Sequence, residues 1–291
     1  MSNADSKQRF LFPDSDIRGE ILRLEGALAP VLQARDYPLS VQGQLSEALA
    51  ASVLMASTLK FEGKLALQAQ GQGPVNLLLV EAGHDGSLRG LARYDEDTHF
   101  EGDQPTLQDL LGKAGIMAIT IRPTQGQQYQ GVVPLDAPTL AICLERYFRQ
   151  SEQLDTRIWL AAGNGRAAGL LLQRLPERIA SREANDAAWE NIQALADTLT
   201  MEELLDLPAE TVLHRLFHEQ PPQLPPPQPL HFACTCSREK VRHTLLSLGA
   251  DELQAILDDL GEAAISCDFC GNAETFDAVD LAQLIREAEG Q

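Results

Sequence analysis

Four of the chain's five cysteines fall in two close pairs, Cys234-Thr235-Cys236 and Cys267-Asp268-Phe269-Cys270, with residues 237–266 between them. Sulfur is a soft donor. Two such pairs folded together present four thiolates to one ion, the arrangement that closed tetrahedral zinc sites use. The first arm is C-x-C rather than the C-x-x-C knuckle of an ordinary zinc ribbon, so its sulfurs leave from alternate residues of a tight loop. Each pair is also near enough in sequence to close a local disulfide. A bound cation keeps its sulfurs as thiolates, the form that oxidants attack, and oxidation through sulfenic acid to disulfide removes the ligand electrons. Spacing alone leaves two uses open: a structural staple and a redox trigger.

Other residues that could do chemistry read more simply. Cys143, flanked by Leu140, Ile142 and Leu144 on a predicted helix, is a small buried hydrophobe rather than a nucleophile. His214 and His218 stand four apart, but no Glu occupies the H-E-x-x-H offset. His231 adjoins the first cysteine pair and is a possible substitute ligand, yet four cysteines already close the site. Gly163-Asn164-Gly165 lacks the Lys-Ser/Thr of a phosphate loop. Acidic residues are abundant, and no spacing singles out an acid–base pair.

The 291 residues allow two domains. Met1-Ser2-Asn3-Ala4 reads as an initiator with an added remnant, Asp5 to Arg9 is charged rather than an apolar signal core, and no apolar run approaches a bilayer's width. A soluble cytoplasmic protein is expected. The formal net charge of −19, from 42 acidic and 23 basic side chains, disfavours nucleic acid, whose binding depends on Lys and Arg displacing counterions. The cysteine-bearing end is no exception, with 12 acidic against 4 basic residues in 230–291. Five cysteines in a reducing compartment argue for metal or redox use over a disulfide framework.

These residues need a scaffold. Strand-like runs are expected over 10–24, 64–70, 75–81, 87–94, 117–122, 129–133, 157–161 and 168–174, with helices over 25–34, 45–59 (amphipathic and Ala-rich) and 137–150. Arg18 is expected on the surface, free for an acidic partner. Beyond Pro176 the character shifts to acidic helices. Trp189, Ile192, Ala196 and Leu199 form one apolar stripe, Thr200-Met201-Glu202-Glu203 fits a capping box, and Val212, Leu213, Leu216 and Phe217 make a third face. Such stripes cannot bury one another completely, so the helices should lie weakly on the sheet of the first domain. Residues 221–229, with six of the 16 prolines, read as an extended semi-rigid spacer, with an SH3-type ligand as the sharper alternative. The last 60 or so residues carry helical runs over 237–248, 251–260 and 279–289 and a short strand into Cys267. So short a segment is marginal without a metal.

Phe232-Ala233-Cys234-Thr235-Cys236-Ser237-Arg238-Glu239-Lys240 and Cys267-Asp268-Phe269-Cys270-Gly271 together resemble the C-terminal signature of the heat shock protein 33 family, redox-regulated bacterial chaperones. Asp16-Ile17-Arg18-Gly19, Gly71-Gln72-Gly73-Pro74, Ser151-Glu152-Gln153 and Gly169-Leu170-Leu171-Leu172-Gln173-Arg174-Leu175-Pro176 agree in the same order. Glu274, where the family usually has an aromatic, and Asp155, where it usually has a nearby Pro, depart from the pattern.

The resemblance implies an α+β protein. Residues 5–176 would form a compact N-terminal domain of mostly antiparallel sheet with packed helices, for client binding and dimerisation. Residues 177–229 would be a helical linker ending in the Pro-rich spacer, and 230–291 a small zinc-binding redox-switch domain. It implies an ATP-independent holding chaperone, not an enzyme, with one Zn²⁺ per chain in the reduced, inactive state on Cys234, Cys236, Cys267 and Cys270. Oxidative stress plus heat would join Cys267 with Cys270 and Cys234 with Cys236, release zinc and unfold the linker. The partners would be unfolding client proteins and, in the active form, a second copy, with no nucleic acid and no membrane. The rivals are a zinc-ribbon enzyme or nucleic-acid module with inert Cys₄, and a disulfide oxidoreductase using Cys267 and Cys270, whose motif would have to open a helix where Gly271-Asn272 follow instead.

Overall fold

A computed structural model describes residues 5–59, 62–97 and 105–290. Met1–Ala4, Lys60 and Phe61 lie outside the described residues. The described residues form two compact units, one within 5–32 and 36–233, the other of residues 33–35 and 234–290.

In the first unit the order is β1 (Ser6–Leu11), β2 (Ile17–Leu24), α1 (Ala29–Gln33), α2 (Leu39–Thr58), β3 (Gly63–Gln70), β4 (Val75–Gly83), β5 (Ser87–Tyr94), α3 (Leu107–Leu111), β6 (Ile116–Pro123), β7 (Tyr129–Pro134) and α4 (Leu140–Tyr147). A π-helical turn over Phe148–Glu152 precedes β8 (Thr156–Gly163) and β9 (Arg166–Arg174). The acidic region supplies α5 (Arg182–Ala196), α6 (Met201–Asp206) and α7 (Ala209–Phe217), and two short strands follow, β10 (Gln228–Pro229) and β11 (His231–Phe232). One sheet runs β10-β1-β2-β9-β8 and the other β11-β5-β4-β3-β6-β7. Among the described residues every pairing in these sheets is antiparallel except the parallel pair of β11 and β5. The fold is α+β.

Helix α2 contacts strands of both sheets and is buried on nearly every side rather than on the single stripe expected of an amphipathic helix. Small side chains make this possible: Ala48, Ala50 and Ala51 let the sheets approach, and Leu45, Leu49 and Leu54 fill the gaps. Its buried hydroxyls fold back, Ser52 Oγ donating to the Leu49 carbonyl at 2.8 Å and Ser57 Oγ to the Leu54 carbonyl at 2.7 Å.

A second core lies on the outer face of the β1-containing sheet. Phe10, Phe12, Ile17, Ile21, Leu170 and Leu172 meet Ile192, Ala196, Leu204, Val212, Leu213, Leu216 and Phe217 from α5, α6 and α7. Phe217 packs edge-on against Phe12 with ring centroids 5.2 Å apart. Helices α5, α6 and α7 thus do lie on the sheet, but their hold is deeper than apolar stripes alone suggest. The rim is ionic: Arg157 reaches Asp197 at 3.1 Å, Arg166 reaches Asp206 at 2.8 Å and Arg174 reaches Asp186 at 2.5 Å, so arginines on β8 and β9 meet acids of the helical region.

The second unit contains α8 (Arg238–Leu246), α9 (Ala250–Leu260), β12 (Ala263–Ser266), β13 (Ala273–Phe276) and α10 (Ala278–Glu289). Strands β12 and β13 form an antiparallel hairpin around the second cysteine pair. Its core is small: Leu245, Leu253, Ala263, Phe276, Leu281, Leu284 and Ile285. No helix among the described residues is long and apolar enough to cross a membrane.

Candidate metal centre

Each cysteine arm is shaped by its own neighbours. After Cys236 the chain must turn into α8, and Ser237 does this as N-cap, its hydroxyl accepting from the Lys240 N–H at 3.3 Å. Lys240 then bonds back through Nζ to the Thr235 carbonyl, bracing the residue between the two sulfurs. Arg238 lies over the Phe276 ring at 4.1 Å and donates to the Thr275 carbonyl at 2.7 Å and to Asp280 at 2.5 Å. The Ser-Arg-Glu-Lys string therefore fixes the first arm to β13 and α10. In the second arm the Gly271 N–H donates to the Cys267 carbonyl at 2.8 Å and the Cys267 N–H to the Asn272 carbonyl at 2.9 Å, closing a tight knuckle. Gly271 takes φ of 71°, where a side chain would be strained.

The two arms converge. Cys234 Sγ lies 3.7 Å from Cys267 Sγ, Cys236 Sγ lies 3.4 Å from Cys270 Sγ, and all four sulfurs lie within 4.8 Å of one another. Four sulfurs about 2.3 Å from a tetrahedral ion would be separated by about 3.8 Å, so the cluster fits such a group in both donor type and spacing. The four cysteines are positioned to bind a metal ion.

The sulfurs also perturb one another. Burial works against the Cys234 thiolate, but the Cys236 backbone N–H and the neighbouring thiols outweigh it and bring it down to about 7. Cys236 is pushed up by its hydrogen bond with Cys270, by burial and by Cys234, and Cys270 is pushed up chiefly by burial. Crowded sulfurs resist ionising together, and a cation supplies the charge that lets them.

Other candidates fall elsewhere. Cys143 is buried in the main core, and burial pushes its thiol up, as an inert packing residue requires. His214 on α7 and His218 at its C-cap have ring centroids 6.2 Å apart, and His231 lies in β11. Glu274 pairs with Arg238 at 3.5 Å and Asp155 with Arg149 at 3.9 Å, so both departures from the expected pattern end in surface ion pairs. Arg18 does not await an acidic partner, since it donates to Gln173 Oε1 at 2.5 Å and to the Thr58 carbonyl at 2.9 Å. Gly19 is required because a Cβ there would come within 2.0 Å of the Phe10 ring.

Sequence reasoning saw Asp16 only as part of a matching string and missed what it holds. It is buried, and its carboxylate accepts from the backbone N–H groups of Arg178, Ile179 and Ala180 and from Asn185 Nδ2. The Arg178 N–H, followed by Asn185 and the other two amides, holds its carboxyl well below the usual range despite burial. Residues 178–180 and the first turns of α5 are thereby clamped to the residue that precedes β2. No sequence signal marks the pair, because the partners lie more than 160 positions away.

A sequence profile described as Hsp33 protein matches residues 5–277. The 33 kDa chaperonin of Pseudomonas aeruginosa is 48% identical over 293 residues, covering 100% of this chain and 98% of that protein. The protein of the same name from Azotobacter vinelandii is 48% identical over 288 residues, covering 98% and 95%. Among solved structures, the 33 kDa chaperonin (heat shock protein 33 homolog) of Thermotoga maritima superposes with a TM-score of 0.85 at 20% identity, covering 99% of this chain and 100% of that one.

Proposed function

The chain belongs to the Hsp33 protein family and is a chaperone, and from that premise we propose that it is an ATP-independent holdase switched on by oxidation at Cys234, Cys236, Cys267 and Cys270. The convergence of four sulfurs in a unit with only a small buried apolar core carries the reading. In the reduced state one Zn²⁺ per chain, bound by these four thiolates, contributes on the order of 10–16 kcal/mol to a unit too small to stand alone.

Peroxide transfers oxygen to one thiolate to give a sulfenic acid, and the neighbouring thiol displaces that oxygen as water to form the disulfide. Pairing Cys267 with Cys270 and Cys234 with Cys236 leaves each link local. Cross-pairing would staple the arms together and preserve the unit; local pairing takes away the ligands without adding a tie. Residues 230–291 then melt. The linker, 177–229, then comes away from the sheet with mild heat, uncovering Trp189, Leu199, Val212 and Leu216 and the sheet beneath them, on the domain of residues 5–176. Unfolding clients bind there. The chain's acidity keeps the opened form soluble, the active form is a homodimer, and the setting is the cytoplasm, without nucleic-acid or membrane partners.

The test is to treat the purified reduced protein with peroxide at a stress temperature, follow metal release with a chromophoric chelator, and measure suppression of a model protein's aggregation. Metal release together with a gain in suppression is expected. Metal release without that gain would leave the cysteines as a staple only.

A further inference from the structure

The proline-rich stretch is bonded along the edges of both sheets. The Leu11 N–H donates to the Gln223 carbonyl at 3.0 Å and the Gln223 N–H to the Leu11 carbonyl at 2.8 Å. Gln228 and Pro229 pair with Lys7 and Ser6, and the Leu230 N–H donates to the Asp5 carbonyl at 2.9 Å. The chain then crosses to the other sheet, where the His231 and Ala233 N–H groups each donate at 3.0 Å to the Gly86 and Leu88 carbonyls along β5. Residues 223–233 thus cover the outer edges of β1 and β5, the ends of their sheets once the strap is set aside.

The strap is a poor strand partner. Pro225, Pro226 and Pro227 have no N–H to give where they pass β1. There the edge makes do with a side chain: Gln8 Nε2 donates to the Arg9 carbonyl at 2.8 Å and reaches the Pro225 carbonyl. An extended segment carrying its amide hydrogens would complete a ladder that the strap leaves interrupted, and open edges are templates for such pairing.

We propose that the edges of β1 and β5 are client-capture sites, and that the proline strap is their removable guard. The occupant is an extended stretch of unfolded polypeptide, added as a strand. Backbone pairing is indifferent to side chains, which suits a chaperone that meets many sequences. The inference rests on the oxidation-switched reading, because the strap runs directly into Cys234 and is freed only when the following unit melts.

The experiment measures residue-resolved amide exchange on the full chain, reduced with zinc and then oxidised, with and without reduced, carboxymethylated α-lactalbumin as a permanently unfolded client. Oxidation should speed exchange at Lys7, Leu11 and Leu88 by about tenfold or more, and the client should restore protection. The edge proposal is overturned if these amides stay protected after oxidation, if the client is held without restoring them, or if protection returns with protein concentration alone, which would make a second copy the occupant. Replacing Pro225→Val and Pro226→Val together, which gives the guard the missing donors, should leave zinc release unchanged and slow client capture; unchanged capture also overturns it. Failure of the wild-type protein to suppress aggregation would instead sink the reading on which the proposal rests.

Discussion

Asp16 and Asn185 exchange two hydrogen bonds across the second core: the Asp16 N–H donates to Asn185 Oδ1 at 2.8 Å, and Asn185 Nδ2 donates to Asp16 Oδ2 at 2.9 Å. One residue directly precedes β2 and the other lies in the first turns of α5, so the pair pins the start of α5 beside the sheet. Asn185→Ala should lower the temperature at which α5–α7 open while zinc stays bound, read as activity appearing in the reduced protein at milder heat. Because the folded carboxyl of Asp16 is depressed, its contribution is fully present above the unfolded value of about 3.9 and is lost as pH falls through the lower folded value. Linker stability in Asp16→Asn should therefore depend less on pH below about 4 than it does in the wild type. Identical acid profiles would contradict the clamp.

Arg238 carries the packing of the first cysteine arm on Phe276, Thr275 and Asp280. Arg238→Ala removes a ring contact, two bonds and the surface ion pair with Glu274, together about 1–2 kcal/mol. Zinc affinity in a competition with a chelator should fall about tenfold, with stoichiometry unchanged. An affinity equal to wild type would show that the arm is fixed by its ligands alone.

Disulfide mapping after peroxide should find Cys234 joined to Cys236 and Cys267 to Cys270, although in the folded unit sulfurs also meet across the arms, at 3.4 and 3.7 Å. Links across the arms in the active form would contradict the melting step. Cys143, shut in the main core with its thiol pushed up by burial, should escape alkylation by iodoacetamide in the folded protein.

Glu47 on α2 offers a pH test independent of the cysteines. Burial pushes its carboxyl up to about 7, so the folded state favours the neutral form. Its contribution to stability is fully present below the unfolded value of about 4.3 and is lost as pH rises through about 7. Glu47→Gln should lose less stability than wild type between pH 5 and 8 in urea titrations of the zinc-loaded protein. Parallel losses would place the titration elsewhere.

The four ligand candidates were legible because their chemistry is written in residue type and short spacing, and the capping box at Thr200 and Glu203 because it is local. What the sequence hid was non-local. The proline run gives no strand signal, since prolines cannot propagate a ladder, yet its flanking residues Gln223, Gln228 and His231 supply the pairing. Helix α2 looked amphipathic because alanine reads as neither face, and only the second sheet shows that both faces are covered. Arg18 looked like a surface charge until Gln173, from β9, lay beside it.

The most direct measurement compares nitrogen–proton correlation spectra of the second unit in the full chain, reduced with zinc and then oxidised with zinc removed. Dispersed signals for Leu245, Leu253, Phe276 and Leu281 should collapse to the narrow range of an unfolded chain on oxidation. Signals that stay dispersed after the metal has gone and the cysteines are paired would mean that the unit stands without its ion, and the cysteines could not then act as a switch.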